Sequence, residues 1–331
     1  MSFLVRINLN KSFEVTAGQN IWAAADVSGI TIPYSCRTGR CSSCKCKVIK
    51  GDTLVLQPEI GLTAEEKAEG WILSCARTAS TDLELEVDDI SEYALPAAVT
   101  LPCRIQSIDT LAPNVLRIML RLPPTSEFNF RPGQYIDVIA PGAVRRSYSL
   151  ACANVTDKQL ELHIRAVEGG AMSQYWFGQA KTNDLLRLNG PLGTFFMRET
   201  KGLDLVFLAT GTGLAPIKAI LESMATLSEE LQPRSVTVLW GGRKVEDLYF
   251  DMSYIKVKHH YVPVLSRAES DWNGLRGYVQ QALLSMQSDL SNASVYACGS
   301  TVMIQNAKAS ITAAGLPTHR FYSDAFVCSA N

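Results

Sequence analysis

Four cysteines, Cys36, Cys41, Cys44 and Cys46, crowd into one short loop, whereas Cys75, Cys103, Cys152, Cys298 and Cys328 are scattered. No other feature constrains the chain so strongly. In a chain without secretory features, clustered cysteines bind metal or do redox chemistry more often than they form disulfides. The run Cys36-x4-Cys41-x2-Cys44, completed by Cys75, has the spacing with which four thiolates hold a [2Fe–2S] cluster. Three thiolates on a tight loop can reach two irons while a separate element supplies the fourth. Gly39 lets the backbone approach, and loop N–H groups can bond to the cluster sulfurs and help set its potential. The alternative is zinc, but zinc knuckles pair two short C-x2-C or C-x2-H units, and only one C-x2-C occurs here. Cys46 lies on the strand that follows and is expected to pack rather than to ligate.

The rest of the chain divides by rhythm. With 331 residues it exceeds a single core, so two or three domains are expected. Residues 1–90 read as a small α+β unit, with strands at 3–9, 12–16, 45–49 and 83–87 and a helix at 21–28 that ends at Gly29. Thr63 and Glu66 form a capping box for a short acidic helix ending near Gly70. From Asp88 to Pro102, Asp, Ser and Pro break every period, and residues 91–100 are taken as an interdomain linker. Residues 101–200 carry short strands between Pro and Gly turns, at 104–108, 115–121, 134–139, 146–150 and 160–166, the pattern of an antiparallel barrel. Residues 201–331 alternate apolar strands, at 205–209, 236–240, 261–265 and 295–297, with helical stretches, as in a parallel sheet built from βαβ units. The fold class is therefore multidomain, α+β followed by α/β.

Composition narrows the partners. A net charge of −1 gives no reason to expect nucleic acid. No apolar run approaches the roughly 20 residues that span a bilayer, so membrane insertion is not expected. The first residues read as a strand rather than a leader, and a cytoplasmic location is the expectation.

Two further groups of residues suggest cofactors. Arg146-Ser147-Tyr148-Ser149 lies on a barrel strand, where an Arg can bind a diphosphate, a Tyr can stack on a flavin and a Ser can bond to flavin N5. Gly169-Gly170-Ala171-Met172-Ser173 precedes a helix whose free N–H groups can cradle an anion. Thr210-Gly211-Thr212-Gly213-Leu214-Ala215-Pro216 joins a strand to a helix, but it is not the G-x-G-x-x-G fingerprint, because Pro216 stands at the third glycine. Taken alone, Cys298 is equally readable as a buried structural thiol, and His163 as a half-buried strand histidine.

At these residues the chain becomes recognisable. The string from Tyr34 through Cys36, Arg37, Thr38, Gly39, Arg40, Cys41, Ser42 and Ser43 to Cys44 resembles a plant-type ferredoxin, which implies a β-grasp unit over residues 1–90. Arg146 to Ser149, Gly169 to Ser173 and Gly190-Pro191-Leu192-Gly193, in this order, are similar to the ferredoxin–NADP reductase superfamily, which implies a β-barrel for FAD and a Rossmann-like parallel-sheet domain for NAD. That resemblance gives Arg146 and Ser173 the FAD diphosphate, Tyr148 the isoalloxazine and Ser149 its N5. Ser147, Gly170, Ala171 and Met172 join the same site, and the strand His163-Ile164-Arg165 runs along the diphosphate and adenosine. Thr212, Gly213, Pro216, Arg243 and Gly299 would bind nicotinamide nucleotide, with Thr210 where a further glycine is common. Cys298 would pose the nicotinamide, Asp324 would sit near Cys298 and Ser149, and Phe326 would shield the flavin. Ser149, Cys298 and Asp324 are thus the candidate catalytic residues. The expected donor is NADH, with NADPH as the alternative, because Glu246, Asp247 and Asp251 follow Arg243 and Lys244.

The resemblance covers residues 1–328. It extends to reductases serving a pyridoxamine-phosphate-dependent sugar 3-dehydrase in dideoxyhexose synthesis, on Pro102-Cys103-Arg104, Arg121-Leu122-Pro123-Pro124-Thr125, Gly193-Thr194-Phe195-Phe196 and Tyr322 to Val327. The cysteine loop and Gly213-Leu214-Ala215-Pro216 equally resemble reductases of ring-hydroxylating dioxygenases. Both imply an oxidoreductase passing electrons from NADH through FAD and [2Fe–2S] to a terminal acceptor enzyme, a dehydrase by the first likeness and an oxygenase by the second. A basic fringe of Arg37, Arg40, Lys45 and Lys47 could meet an acidic acceptor, or this chain's own flavin domain.

Overall fold

Alternation with period two builds the first sheet. In β1 (Ser2–Ile7) and β2 (Lys11–Thr16), Val5, Ile7, Phe13 and Val15 turn inward while Arg6, Ser12 and Glu14 face out, which fixes the antiparallel register Val5↔Phe13. The helix α1 (Ile21–Val27) starts where the Asn20 side chain accepts from Ala23 N at 2.8 Å and ends before Gly29, whose φ of +73° only glycine adopts readily. It buries Ile21, Ala24 and Ala25 against the sheet; a fully buried Ile contributes about 1.5–3 kcal/mol. After the cysteine loop come β3 (Lys45–Lys50), β4 (Thr53–Val55), α2 (Ala64–Ala68), β5 (Trp71–Leu73), β6 (Arg77–Ala79) and β7 (Leu83–Glu86). The predicted capping box is formed, with Glu66 N donating to Thr63 Oγ1 and Thr63 N to Glu66 Oε2. The five-stranded sheet runs β2-β1-β7-β3-β5 with β1 and β7 parallel, and β4 pairs separately with β6.

The structure, a computed structural model, describes residues 1–8, 10–287 and 289–327. Leu9, the predicted end of the first strand, and Cys328 lie outside the described residues. The chain divides into two units, Met1–Leu95 and Pro96–Phe326.

In the second unit β8 (Val99–Ala112) starts inside the stretch read as irregular. Pro102 is tolerated there because β9 (Val115–Arg121) pairs with β8 only from Arg104 onward, so the missing N–H meets no partner on that side. β10 (Tyr135–Ile139), β11 (Arg145–Ser149), β12 (Gln159–Arg165), the short helix α3 (Ala171–Gln174) and β13 (Leu185–Leu192) complete an antiparallel sheet ordered β11-β10-β13-β8-β9-β12. An isolated Leu150–Leu162 bridge joins its two edges into a barrel. Ile105, Ile118, Leu120, Ile136, Val138, Leu160, Leu162 and Leu188 fill the interior.

The nicotinamide half follows as β14 (Asp204–Thr210), α4 (Leu214–Met224), β15 (Ser235–Gly242), β16 (His260–Leu265), β17 (Leu275–Arg276), α5 (Val279–Met286), β18 (Ala293–Ser300), α6 (Thr301–Ala313) and β19 (Phe321–Phe326). All six strands are parallel in the order β17-β16-β15-β14-β18-β19. Near-continuous burial along β14 and β18 is what a parallel strand covered on both faces requires. No described helix is long and apolar enough to cross a membrane.

Candidate redox sites

Around the cysteine loop the backbone is forced into turns, with Arg37, Gly39 and Ser42 all at positive φ. Gly39 is obligatory for a second reason: a Cβ there would stand 2.2 Å from the Pro58 carbonyl oxygen. The segment 57–61 thus packs against the loop. Gly61 N donates to Gly39 O at 2.9 Å, Ser42 Oγ donates to Gly61 O, and Gln57 Nε2 donates to Arg37 O at 3.1 Å and to Cys75 O at 3.0 Å. Gln57 therefore ties the loop to the segment bearing Cys75. Beneath lies a buried carboxylate: Glu59 accepts from Arg77 Nε and Nη2 at 2.8–3.0 Å and from Leu73 N at 2.9 Å. Nothing in the sequence marks this pair, because a buried charge looks like any surface charge until its partner is known.

The thiols meet two by two. Cys41 hydrogen-bonds to Cys36 and thereby pulls the Cys36 thiol down to about 5, with help from Thr38 and Arg40, against burial; the donor, Cys41, is correspondingly pushed up. Cys44 stands to Cys75 in the same way, with Cys75 lowered and Cys44 raised. The Cys36 and Thr38 amides point at the Cys41 and Cys36 sulfurs, each at 3.4 Å. Among the described residues no three His, Cys, Asp or Glu side chains converge on one ion. Two thiol pairs on one loop system, with amides aimed at sulfur, are a donor set that fits a dinuclear cluster taking two cysteines per iron. Cys46 is outside the group. It is 1% exposed, packed among Val5, Ile72 and Leu85, and burial pushes its thiol up to about 12.

The basic fringe is largely engaged within its own unit. Lys45 Nζ pairs with Glu66 at 2.6 Å and lies 4.4 Å from the centre of the Trp71 ring, Lys47 approaches the same ring, and Arg37 lies over Trp22 and Tyr34.

On the barrel, β11 carries the candidate flavin residues. Ser149 is buried opposite Tyr135, and Ser147 Oγ donates to Asp137. Tyr148 is half-buried and accepts from Trp176 Nε1 at 3.0 Å, and burial pushes its hydroxyl up to about 12. Arg146 Nη1 donates to the carbonyl of Arg145 at 3.3 Å. The turn before α3 is closed by Val167 N donating to Ser173 Oγ at 2.8 Å. Gly170 caps α3, while Ala171 and Met172 form its first residues, Met172 buried in the barrel core. The helix expected here is regular only to Gln174 and then widens to a π-turn over Tyr175–Gln179. Ile164 points into the barrel, but His163 and Arg165 face the nicotinamide half. His163 Nε2 meets Glu161 at 2.9 Å and its Nδ1 meets the Tyr249 hydroxyl at 3.0 Å.

The strand-to-helix loop Thr210–Pro216 forms as predicted. Thr212 sits at its crest, and Pro216 falls in the first turn of α4, where its missing N–H is harmless. A Cβ on Gly213 would stand 2.1 Å from Cys298 O, and one on Gly299 would stand 2.1 Å from Thr210 Oγ1. Thr210 is therefore accommodated by glycine at its neighbour across the sheet. Cys298 is fully buried, and burial first, then Asp324, pushes its thiol well up. Cys298 and Asp324 are cross-strand partners, and Phe326, 39% exposed, lies opposite Ser300. At the end of β15, Asp247 accepts from Arg243 N at 2.8 Å, and Lys244 pairs with Glu269 at 3.1 Å.

Residues 5–80 match the 2Fe-2S iron-sulfur cluster binding domain, residues 102–197 the oxidoreductase FAD-binding domain, and residues 207–309 the oxidoreductase NAD-binding domain. The chain is 42% identical over 311 residues to the CDP-6-deoxy-L-threo-D-glycero-4-hexulose-3-dehydrase reductase of Yersinia pestis, covering 93% of this chain and 92% of that one. It is 28% identical to reductase component 1 of a Comamonas terephthalate 1,2-dioxygenase, over 96% and 95% of the two chains. A crystal structure of an Amycolatopsis cytochrome P450 reductase superposes with a TM-score of 0.74 at 28% identity, covering 98% of each chain. This chain belongs to the iron-sulfur flavoprotein reductases: a [2Fe–2S] ferredoxin domain joined to FAD- and NAD-binding domains of the ferredoxin–NADP reductase type. It is an NAD(P)H-dependent oxidoreductase that transfers electrons through an iron-sulfur centre.

Proposed function

We propose that the chain is the NADH-oxidising reductase of a pyridoxamine-phosphate-dependent sugar 3-dehydrase in deoxysugar synthesis, working in the cytoplasm. The observation that carries this reading is the 42% identity, nearly end to end, with the Yersinia dehydrase reductase, against 28% for the dioxygenase reductase. Bound together, the cofactors convert a two-electron donor into single electrons, because a [2Fe–2S] cluster takes one at a time.

The chain's own residues supply binding and orientation. Cys36, Cys41, Cys44 and Cys75 hold the cluster, and Gln57 and the Gly39 turn keep the ligand loop closed around it. Arg146, Ser147, Tyr148, Ser149 and the turn Gly170-Ala171-Met172-Ser173 hold FAD, with the Arg146 cation and the turn amides toward the diphosphate. Thr212, Gly213, Pro216 and Gly299 would hold the nicotinamide nucleotide, Cys298, Asp324 and Ser149 would pose it for hydride transfer, and Phe326 would shield the flavin. Near Arg243, Lys244 is paired with Glu269 and Arg165 with Asp247, which leaves fewer cations to receive a 2′-phosphate and favours NADH over NADPH. Working boundaries are 1–90 for the ferredoxin domain, 91–100 for the linker, 101–200 for the flavin domain and 201–331 for the nicotinamide domain.

Reconstitution tests the acceptor. With the Yersinia dehydrase and its CDP-hexulose substrate, NADH consumption is expected to require all three components. Support of the terephthalate dioxygenase, with none of the dehydrase, would transfer the assignment to the oxygenase reductases, a reading favoured by the likeness of the cysteine loop.

A further inference from the structure

The strand β12 has two faces of opposite character. Leu160, Leu162 and Ile164 fill the flavin barrel, while Glu161, His163 and Arg165 point the other way, and each finds a partner in the nicotinamide half. Glu161 Oε2 accepts from Lys218 Nζ of α4 at 3.1 Å, and Lys218 also donates to Ala151 O at 2.7 Å and to Glu222 at 2.7 Å. His163 Nδ1 meets the Tyr249 hydroxyl at 3.0 Å, with Glu161 Oε1 on its other nitrogen. Arg165 Nη2 pairs with Asp247, and its Nη1 lies 2.6 Å from where a Cβ on Gly211 would stand. The contacts run on to the nucleotide loop, because Tyr249 packs edge-on against Trp240, whose Nε1 donates to Gly211 O at 3.0 Å.

This seam is buried. The His163 side chain is 0% exposed and that of Lys218 is 6%. A desolvated lysine, carboxylate and imidazole hold two modules together no more strongly than well-packed apolar side chains would, but they permit one relative orientation where apolar packing permits several. Both ring nitrogens of His163 are spoken for inside the protein, which leaves its side chain none to offer a flavin.

We propose that Glu161, His163 and Arg165, with Lys218, Tyr249 and Asp247, form an orienting clasp that fixes the nicotinamide module on the flavin barrel. They are positioning residues for electron transfer from NADH to the flavin and do not bind FAD through their side chains. The inference rests on the reading of residues 101–331 as an NADH-oxidising flavin module.

The test uses the full-length holoprotein with Glu161→Gln and Tyr249→Phe; the second removes a single oxygen and so stands in if the first does not fold. Asp204→Asn serves as a stability control. Asp204 pairs with Arg234 at the opposite end of β14 from the nucleotide loop. FAD content, melting temperature and anaerobic rapid-mixing reduction over a range of NADH concentrations are measured. The clasp variants are expected to keep FAD and the NADH dissociation constant while the limiting rate of flavin reduction falls about tenfold, as small misplacements of reactants do. Asp204→Asn is expected to melt earlier and reduce at the wild-type rate. Clasp variants that reduce at the wild-type rate would overturn the proposal, as would variants that lose FAD at an unchanged limiting rate. A wild-type flavin that NADH does not reduce would instead overturn the reading on which the inference rests.

Discussion

Replacing Glu59 with alanine probes how the cluster loop is held. Glu59 is 3% exposed and accepts three hydrogen bonds from Arg77 Nε and Nη2, at 2.8–3.0 Å, besides one from Leu73 N. Removing one partner of such a pair costs about 3–5 kcal/mol, because the other charge stays behind unmatched. Here the lower end applies: Arg77 is 21% exposed and keeps its bond to Thr53, so water can solvate part of it. A unit of this size has a total stability of about 5–15 kcal/mol, and its melting point moves about 4–8 °C per kcal/mol. A loss of about 3 kcal/mol therefore lowers the melting point by roughly 12–24 °C. The visible absorption of the cluster reports this unit selectively, and iron content gives the occupancy. Because the segment 57–61 closes on the Gly39 turn, the cluster is expected to bleach earlier than in the wild type, with iron lost on storage. Glu59→Gln keeps an acceptor for Leu73 N and is expected to fall between the two. If Glu59→Ala keeps its iron and melts within about 4 °C of the wild type, the buried pair does not hold the loop.

Gly213→Ala drives a methyl onto the Cys298 carbonyl, 2.1 Å away, without any backbone strain at that position; flavin reduction by NADH is expected to slow at least about tenfold, with FAD and iron contents unchanged. Cys46→Ala is expected to retain the full cluster spectrum, whereas alanine at Cys36, Cys41, Cys44 or Cys75 abolishes it; iron analysis separates the two outcomes. The flavin–nicotinamide unit is expected to weaken in acid. Burial holds His163 below its usual range, so the unfolded chain takes up its proton first and stability starts to fall below about pH 6.5. Glu161 is held down to about 2 by His163 and Lys218 against its burial, so its contribution is intact above the ordinary carboxylate range and is lost as pH falls toward 2. Melting curves across this range should slope accordingly, and Glu161→Gln should flatten the lower part.

Much of this architecture was legible because local rules agreed with the fold. The period-two strands of the ferredoxin unit, the Thr63–Glu66 box and the apolar runs of the parallel sheet each announce their element. Some strands that escape notice carry residues that argue against strands, since β13 holds Gly190 and Pro191 and the start of β8 holds Pro102; β4, β5, β6 and β17 are only two or three residues long, too short to show a period. Pro102 is acceptable only because β8 lacks its second neighbour at that point, which is a fact of tertiary structure. β19 is not legible as a strand, although the resemblance places Asp324 near Cys298; its pairing with β18 is what makes the two cross-strand partners. The four candidate cluster cysteines are legible from spacing. The Glu59–Arg77 pair and the Lys218–Glu161–His163 seam are not, since long-range pairing leaves no periodic trace.

The most direct measurement is an anaerobic titration with NADH, followed by visible absorption and low-temperature electron paramagnetic resonance. Bleaching of both flavin and cluster bands, with the signal of a reduced [2Fe–2S] centre, is the predicted result. Flavin bleaching with no cluster signal would contradict the account: Cys36, Cys41, Cys44 and Cys75 would then hold zinc or nothing, and the chain would be a simple flavin reductase.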